Sequence, residues 1–264
     1  MILHLALYWE RKSTGIWYRN VTTARIKDKS LLDKALQSKM VDYWLIVDLD
    51  EALDEQIETM MSARGLTSIS YSDVEYLRFK IIGVSIEVKR ALIGENEAEI
   101  QMATWVKAHY AKLQQLVPWM RTVPVLPLVC IRGHIWKFML AQMAFPTQVI
   151  IHREVVFGRT DSMLGIYQAI ARVKRMAGWM QDVYKPWFLE QVMIIGGETG
   201  KEKQVDQSVN TNMTSGGQHA PKGKGRCKRE MVRQLERIIS PLQSPYNSPS
   251  YSSPWRLSLV FDTL

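Results

Sequence analysis

The chain has 264 residues, of which 47% are hydrophobic and 23% charged, with a formal net charge of +8 and a sequence pI near 9.4. That is apolar enough for one sizeable core and excludes a chain that is disordered throughout; the length suits one domain with an extension, or two small ones. The basic balance favours an acidic partner such as nucleic acid or an anionic surface, and two cysteines, Cys130 and Cys227, exclude a disulfide framework.

The opening "MILHLALYW" is apolar but has no basic flank or small-residue cleavage site, so it is not read as a signal peptide. "GIWYRNVTTARI" looks extended, and residues 31–36 allow a helical turn. "MVDYWLIVDL" is a strand rich in Val, Ile and aromatics. "DEALDEQIETMMSARG" predicts a short helix, acidic early, with Arg64 late and Gly65 as its stop. "YLRFKIIGVSIEVKR" returns to strand, with Ile82, Val84, Ile86 and Val88 on one face and Gly83, Ser85, Glu87 and Lys89 on the other.

A long helix follows, roughly Glu95 to Leu116, with Met102, Val106, Tyr110, Leu113 and Val117 on its buried stripe. "VPVLPLVCIRG" and "HIWKFMLAQM" predict a hairpin turning at Gly133, and "TQVIIHREVVF" extends the strand set. Asp161 to Trp187 reads as a second long helix, capped by Thr160 or Asp161, with Ile166, Ile170, Val173, Ala177, Met180 and Tyr184 inward and Pro186 perturbing or ending it. The folded domain is set at residues 1–193. Residues 194–264 form a basic, Ser/Pro-rich tail of disordered composition, with four Ser-Pro pairs and a short amphipathic helix expected at 229–239. A central helix between two groups of strands predicts an α/β (α+β) fold, one mixed sheet flanked by helices. No run is long enough to span a membrane, so the expectation is a soluble, intracellular protein, nuclear or cytoplasmic.

The chemistry concentrates on carboxylates. If "MVDYW" and "IEVKR" lie side by side, Asp42 and Glu87 meet at one end of the sheet, and both flank apolar runs where an unpaired carboxylate is costly. A hard cation such as Mg²⁺ takes one or two protein carboxylates, with water and substrate phosphate completing its shell. Lys89 can then hold a phosphate oxygen or an attacking water. Gln101, on the long helix one turn from Trp105, can reach the same place. The competing reading of these residues is an Asp–Lys–Glu cluster that neutralises itself, with Gln101 an ordinary amide at the helix rim.

The segments "NVTTARI", "SKMVDYWL", "YLRFKIIGVSIEVKR", "EAEIQMATW", "LPLVCIRGHIWKF" and "GRTDSMLGIYQAIARVKRMAGWMQDVYKPWF", in that order, resemble the fungal PD-(D/E)XK nuclease-like domain family of the restriction-endonuclease-like superfamily, over nearly all of residues 15–190. The resemblance implies a restriction-endonuclease-like αβββαβ core with four to five strands in its mixed sheet. It places the first acid at Asp42, the E-x-K at Glu87 and Lys89, the helix-borne glutamine at Gln101, and the backbone carbonyl of Val88 beside a Mg²⁺ or Mn²⁺ held by Asp42 and Glu87. It implies hydrolysis of phosphodiester bonds in nucleic acid, DNA ahead of RNA. The alternative is a catalytically inactive module of the same fold that binds nucleic acid or protein.

Two other signals fail. "GGETGKEK" lacks the first glycine of a phosphate-binding loop, where Ile195 stands, and the final Ser or Thr, where Glu202 stands. The five histidines have no zinc-site spacing, and His134 beside the hairpin turn reads as structural. Arg153, Arg159, Arg172, Lys174 and Arg175 form either a solvated face or a set of backbone contacts to nucleic acid.

Overall fold

The computed structural model describes residues 1–8, 11, 14–26, 41–72, 74–90, 95–118, 124–144, 148–194 and 258–261. The turn expected at 31–36 and the helix expected at 229–239 lie outside them.

A short helix α1 (Ile2–Leu7) precedes two strands, β1 (Ile16–Asn20) and β2 (Tyr43–Val47). Helix α2 (Glu51–Ala63) leads through a 3₁₀ turn at Glu75–Leu77 to β3 (Ile81–Lys89). The 22-residue helix α3 (Glu95–Leu116) crosses to β4 (Leu126–Arg132), which forms the expected hairpin with β5 (Ile135–Ala144). Strand β6 (Gln148–Arg159), helix α4 (Met163–Trp179) and helix α5 (Lys185–Leu189) follow, and β7 is Ser258–Phe261.

The strands form one sheet in chain order, β1-β2-β3-β4-β5-β6-β7. This corrects the expectation of four to five strands: among the described residues the sheet has seven. Six of its strands come from the first 194 residues, and the seventh comes from the stretch expected to be irregular. All neighbours are antiparallel except β3 and β4. A parallel pair needs a crossover of a dozen or more residues, and α3 is that crossover.

Strand β3 lies third from one edge and is buried from Ile81 through Glu87, on both faces. The simple alternation read from its sequence is interrupted. Leu45 partners Val84 while Ile46 partners Ile82, so Gly83 is the extra residue of a bulge. A Cβ at Gly83 would lie 2.7–2.9 Å from the Met180 side chain, so a larger residue there would have to displace that thioether. Val88, expected on the buried face, is 39% exposed, because it lies at the open end of the strand.

The predicted stripe of α3 is fully buried: Met102, Val106, Tyr110, Leu113 and Val117 all belong to the core. An aromatic cluster joins the layers. Trp44 meets Tyr71 and Trp105, each at 5.3 Å between ring centroids, and Tyr71 meets His109 at 5.0 Å. His109 Nε2 lies 3.0 Å from the Tyr184 hydroxyl, and burial pushes the imidazole down to about 3, so the ring is neutral at ordinary pH.

One helix cap differs from expectation, and of the two effects expected of Pro186 the run shows perturbation. The cap of α4 is Ser162, whose Oγ accepts from the Gly165 N–H at 3.1 Å, rather than Thr160 or Asp161. Pro186 does not end the helical run. A π-helical turn at Met180–Tyr184 precedes it, placing the proline in the first turn of α5, where its missing N–H is tolerated, and a further π turn carries the run to Ile194.

Candidate active site

The predicted acids converge at the exposed end of β3. Asp42 lies just ahead of β2, and its backbone still follows the sheet: its N–H donates to Ile86 O at 3.1 Å and its carbonyl accepts from Val21 N–H at 2.8 Å. Tyr43 partners Ile86 in the β2–β3 register, and the Asp42 N–H reaches that same Ile86, so Asp42 stands beside the end of β3, where its charge acts on Glu87 and Lys89. Asp42 Oδ2 accepts the Val88 N–H at 2.7 Å, which pins the carboxylate over the strand within one residue of Glu87.

Glu87 is nearly sealed from solvent, with 2% of its side chain exposed. Its Oε1 lies 3.0 Å from Lys89 Nζ, and its Oε2 is buried without a hydrogen-bond partner. Desolvation lifts the carboxyl to about 7, the Lys89 hydrogen bond opposes that rise, and the charges of Asp42 and Glu97 add to it. Burial works against the charge on Lys89, yet the hydrogen bond and charge of Glu87, with Glu97 and Asp42 behind it, hold its pKa above the ordinary lysine value. Gln101 is also buried, and its Oε1 has no hydrogen-bond partner. A buried oxygen without a partner, as at Glu87 and at Gln101, calls for a donor or a cation.

Residues 1–185 match the family description "PD-(D/E)XK nuclease superfamily". The chain belongs to this superfamily. No curated protein and no solved structure matches it. PD-(D/E)XK nucleases generally use divalent metal ions, and the donor set fits one. Glu87 offers an unpartnered carboxylate oxygen, and Asp42 keeps Oδ1 beyond the atom that holds Val88. Among the described residues no three His, Cys, Asp or Glu side chains form a metal cage. A hard cation that keeps several waters needs no more than one or two carboxylates.

Two further charged residues lie near these side chains in the PD-(D/E)XK domain and are not singled out by the sequence reading. Glu97, exposed on the first turn of α3, acts through its charge on both Glu87 and Lys89. Its signal is its place four residues before Gln101, on the same helical face. Lys137 is buried in β5. Glu87 partners Cys130, and Cys130 partners Lys137, so this lysine shares a row with the central acid. Alternation along "HIWKFMLAQM" is the signal that would have turned it inward. His134 stays peripheral, with Nε2 at 3.2 Å from Asp161 and 2.9 Å from Arg159 Nη2. Arg172 is buried, so it does not belong to a solvated basic face.

Proposed function

We propose that the chain is a divalent-metal-dependent nuclease that hydrolyses phosphodiester bonds in nucleic acid, with DNA as the first substrate to test. The observation that carries this reading is Glu87: a buried carboxylate bonded to Lys89 through one oxygen and left unpartnered at the other, with the charge of Asp42 acting on it from the neighbouring Val88 N–H. A stability-driven core has no use for that arrangement, since replacing buried ionic groups by apolar ones is often neutral or stabilising.

Asp42 and Glu87 are the residues that would hold Mg²⁺ or Mn²⁺, joined by the Val88 carbonyl. The cation would supply Lewis-acid polarisation of a phosphoryl oxygen and a water of lowered pKa. The protein groups do the positioning. Lys89 is 21% exposed at the side chain, so its ammonium reaches both the buried acid and solvent. It orients the attacking water in line with the scissile bond and offsets charge on the phosphorus oxygens. Gln101, buried on α3 with its Oε1 unpartnered, is assigned the supporting amide. The formal charge of +8 draws a polyanion to the molecule. Water adds to phosphorus and the leaving oxygen departs, giving one phosphomonoester end and one hydroxyl end.

Cleavage of labelled oligonucleotides in Mg²⁺ or Mn²⁺ tests this. Wild type should cut, and Lys89→Ala should lose about 10²–10³-fold in rate while binding is retained. Salt-sensitive binding without cleavage under any divalent ion would instead establish a nucleic-acid-binding module on the same scaffold. Among the described residues no helix is long and apolar enough to cross a membrane.

A further inference from the structure

Helix α4 carries a buried charge to which the described residues offer no counter-ion. Arg172 is 5% exposed, on the side of the helix that also buries Ala169, Val173 and Met176. Its Nε and Nη1 are sealed from solvent and have no hydrogen-bond partner. Burial works against the charge, and among the described residues the neighbour whose charge acts on it is Arg175, a second cation. A buried cation without a partner is one of the costliest arrangements a fold can hold, and a stem of the same length ending in an apolar group avoids it.

Arg175 is exposed. Residues three apart are neighbours on a helix, and a helical side chain covers the turn N-terminal to its own Cα, so Arg175 leans toward Arg172. One guanidinium then stands at the surface and the other beneath it. Their two charges match a phosphate group of charge about −2 better than a single carboxylate, and guanidinium N–H groups suit its oxygens.

This pair is remote from the acids. Helix α4 packs where a Cβ at Gly158 would point, 2.8 Å from Ala169 Cβ, and Arg172 lies one turn further on. The next strand residue, Arg159, projects to the other face. The register carries that other face through Ile135 and Arg132 to Lys89, two residues from Glu87.

We propose that Arg172 and Arg175 bind one phosphate group on the face of the sheet opposite Glu87, supplied as the free ion or as a phosphoserine of the Ser-Pro stretch. Ser240, Ser244, Ser248 and Ser253 each precede a proline. Strand β7 ties the end of that stretch to β6, the strand α4 packs on, with Ser258 opposite His152. Ser253 precedes Ser258 by five residues, a tether of up to about 16 Å, and the earlier serines have longer ones. The inference is independent of the nuclease reading.

Thermal melts and titration calorimetry of the full, metal-free, unphosphorylated chain test this, with phosphate set against chloride at matched ionic strength. Phosphate at ten times its Kd should raise the wild-type melting temperature by about 3–6 °C. Arg172→Met should melt no lower than wild type without phosphate, because it removes an uncompensated buried charge, and should lose the response. Arg175→Gln, at an exposed position, should keep the phosphate-free melting temperature and bind phosphate about tenfold more weakly. Lys89→Ala, on the other face, should respond as wild type does. A peptide of residues 248–257 phosphorylated at Ser253 that binds more tightly than free phosphate assigns the tail as the source; phosphate binding without that gain assigns the free ion. A wild type indifferent to both ligands, an unaltered response in Arg172→Met and Arg175→Gln, or a response lost in Lys89→Ala would overturn the proposal.

Discussion

Enclosing Glu87 beside Asp42 leaves an acid that is half titrated near neutrality. Desolvation lifts its pKa to about 7, against about 4.3 in an unfolded chain. Between those values the folded protein holds a proton that the unfolded chain has released. The stability associated with the neutral carboxyl is complete below about pH 4.5 and is lost as pH rises to about 7, by about 3 kcal/mol. Glu87→Gln abolishes that loss. Urea melts of the two metal-free chains should agree near pH 4.5 and separate by pH 7.5, with the glutamine variant the more stable. His109, pushed down to about 3, loses stability in acid instead, but equally in both chains, so it cancels in the comparison. Adding Mn²⁺ at pH 7.5 should raise the melting temperature of wild type and leave Glu87→Gln where it was. Parallel pH profiles would refute the strained acid, and an equal response to Mn²⁺ would refute its part in holding a cation. Asp42, Glu87 and Lys89 were singled out as charges bordering apolar runs, but E-x-K is a common pattern, and it was the ordered set of family-like segments that gave them roles. Glu97 was not, because an acid in the first turn of a helix looks like an ordinary partner of the helix dipole.

At the level of elements, local signals located α3 to the residue, since its stripe and its bounds come from the same 3.6-residue period. The start of α4 shifted by two residues for a physical reason. Asp161 is engaged with Arg159 and His134, so its carboxylate does not cap the helix and Ser162 does. Close approach of α4 to β6 was not legible at all, because it depends on atoms from both elements. A Cβ added to Gly165 would run into the Arg159 carbonyl, and one added to Gly158 would lie 2.8 Å from Ala169 Cβ. Gly165→Ala should therefore destabilise the chain by about 1–3 kcal/mol through forced separation of helix and strand. Gly178, in the same helix, has nothing within 4 Å of the added carbon. Gly178→Ala should stabilise by about 0.5–1 kcal/mol from helix propensity and lost unfolded-state freedom. Thermal melts of the pair separate packing from propensity: a shift of the same sign in both would refute the close α4–β6 contact.

For the whole molecule, a mixed sheet with a helix between its two groups of strands followed from composition and period, whereas the number of strands did not. Chain order equals sheet order, so each hairpin adds a strand to the growing edge, and only the β3–β4 step needs the α3 crossover. The last strand could not be read from its surroundings, because it follows a polar, proline-rich stretch whose composition points to irregular chain. Its role is set by position. Val149, Ile150, Ile151 and His152 on β6 pair with Phe261, Val260, Leu259 and Ser258, so β7 takes the sheet edge that β6 would otherwise present. Proline has no N–H to donate and disrupts a ladder. Val260→Pro should therefore speed amide hydrogen exchange at Val149–His152 while leaving the amides of β2 and β3 protected, since those lie on the far side of the sheet. If exchange at β6 is unchanged, β7 does not cover that edge in solution and the sheet ends at six strands. If exchange rises across β2 and β3 as well, β7 is part of the global cooperative unit, and the C-terminal residues contribute to the stability of the strands that carry Asp42 and Glu87.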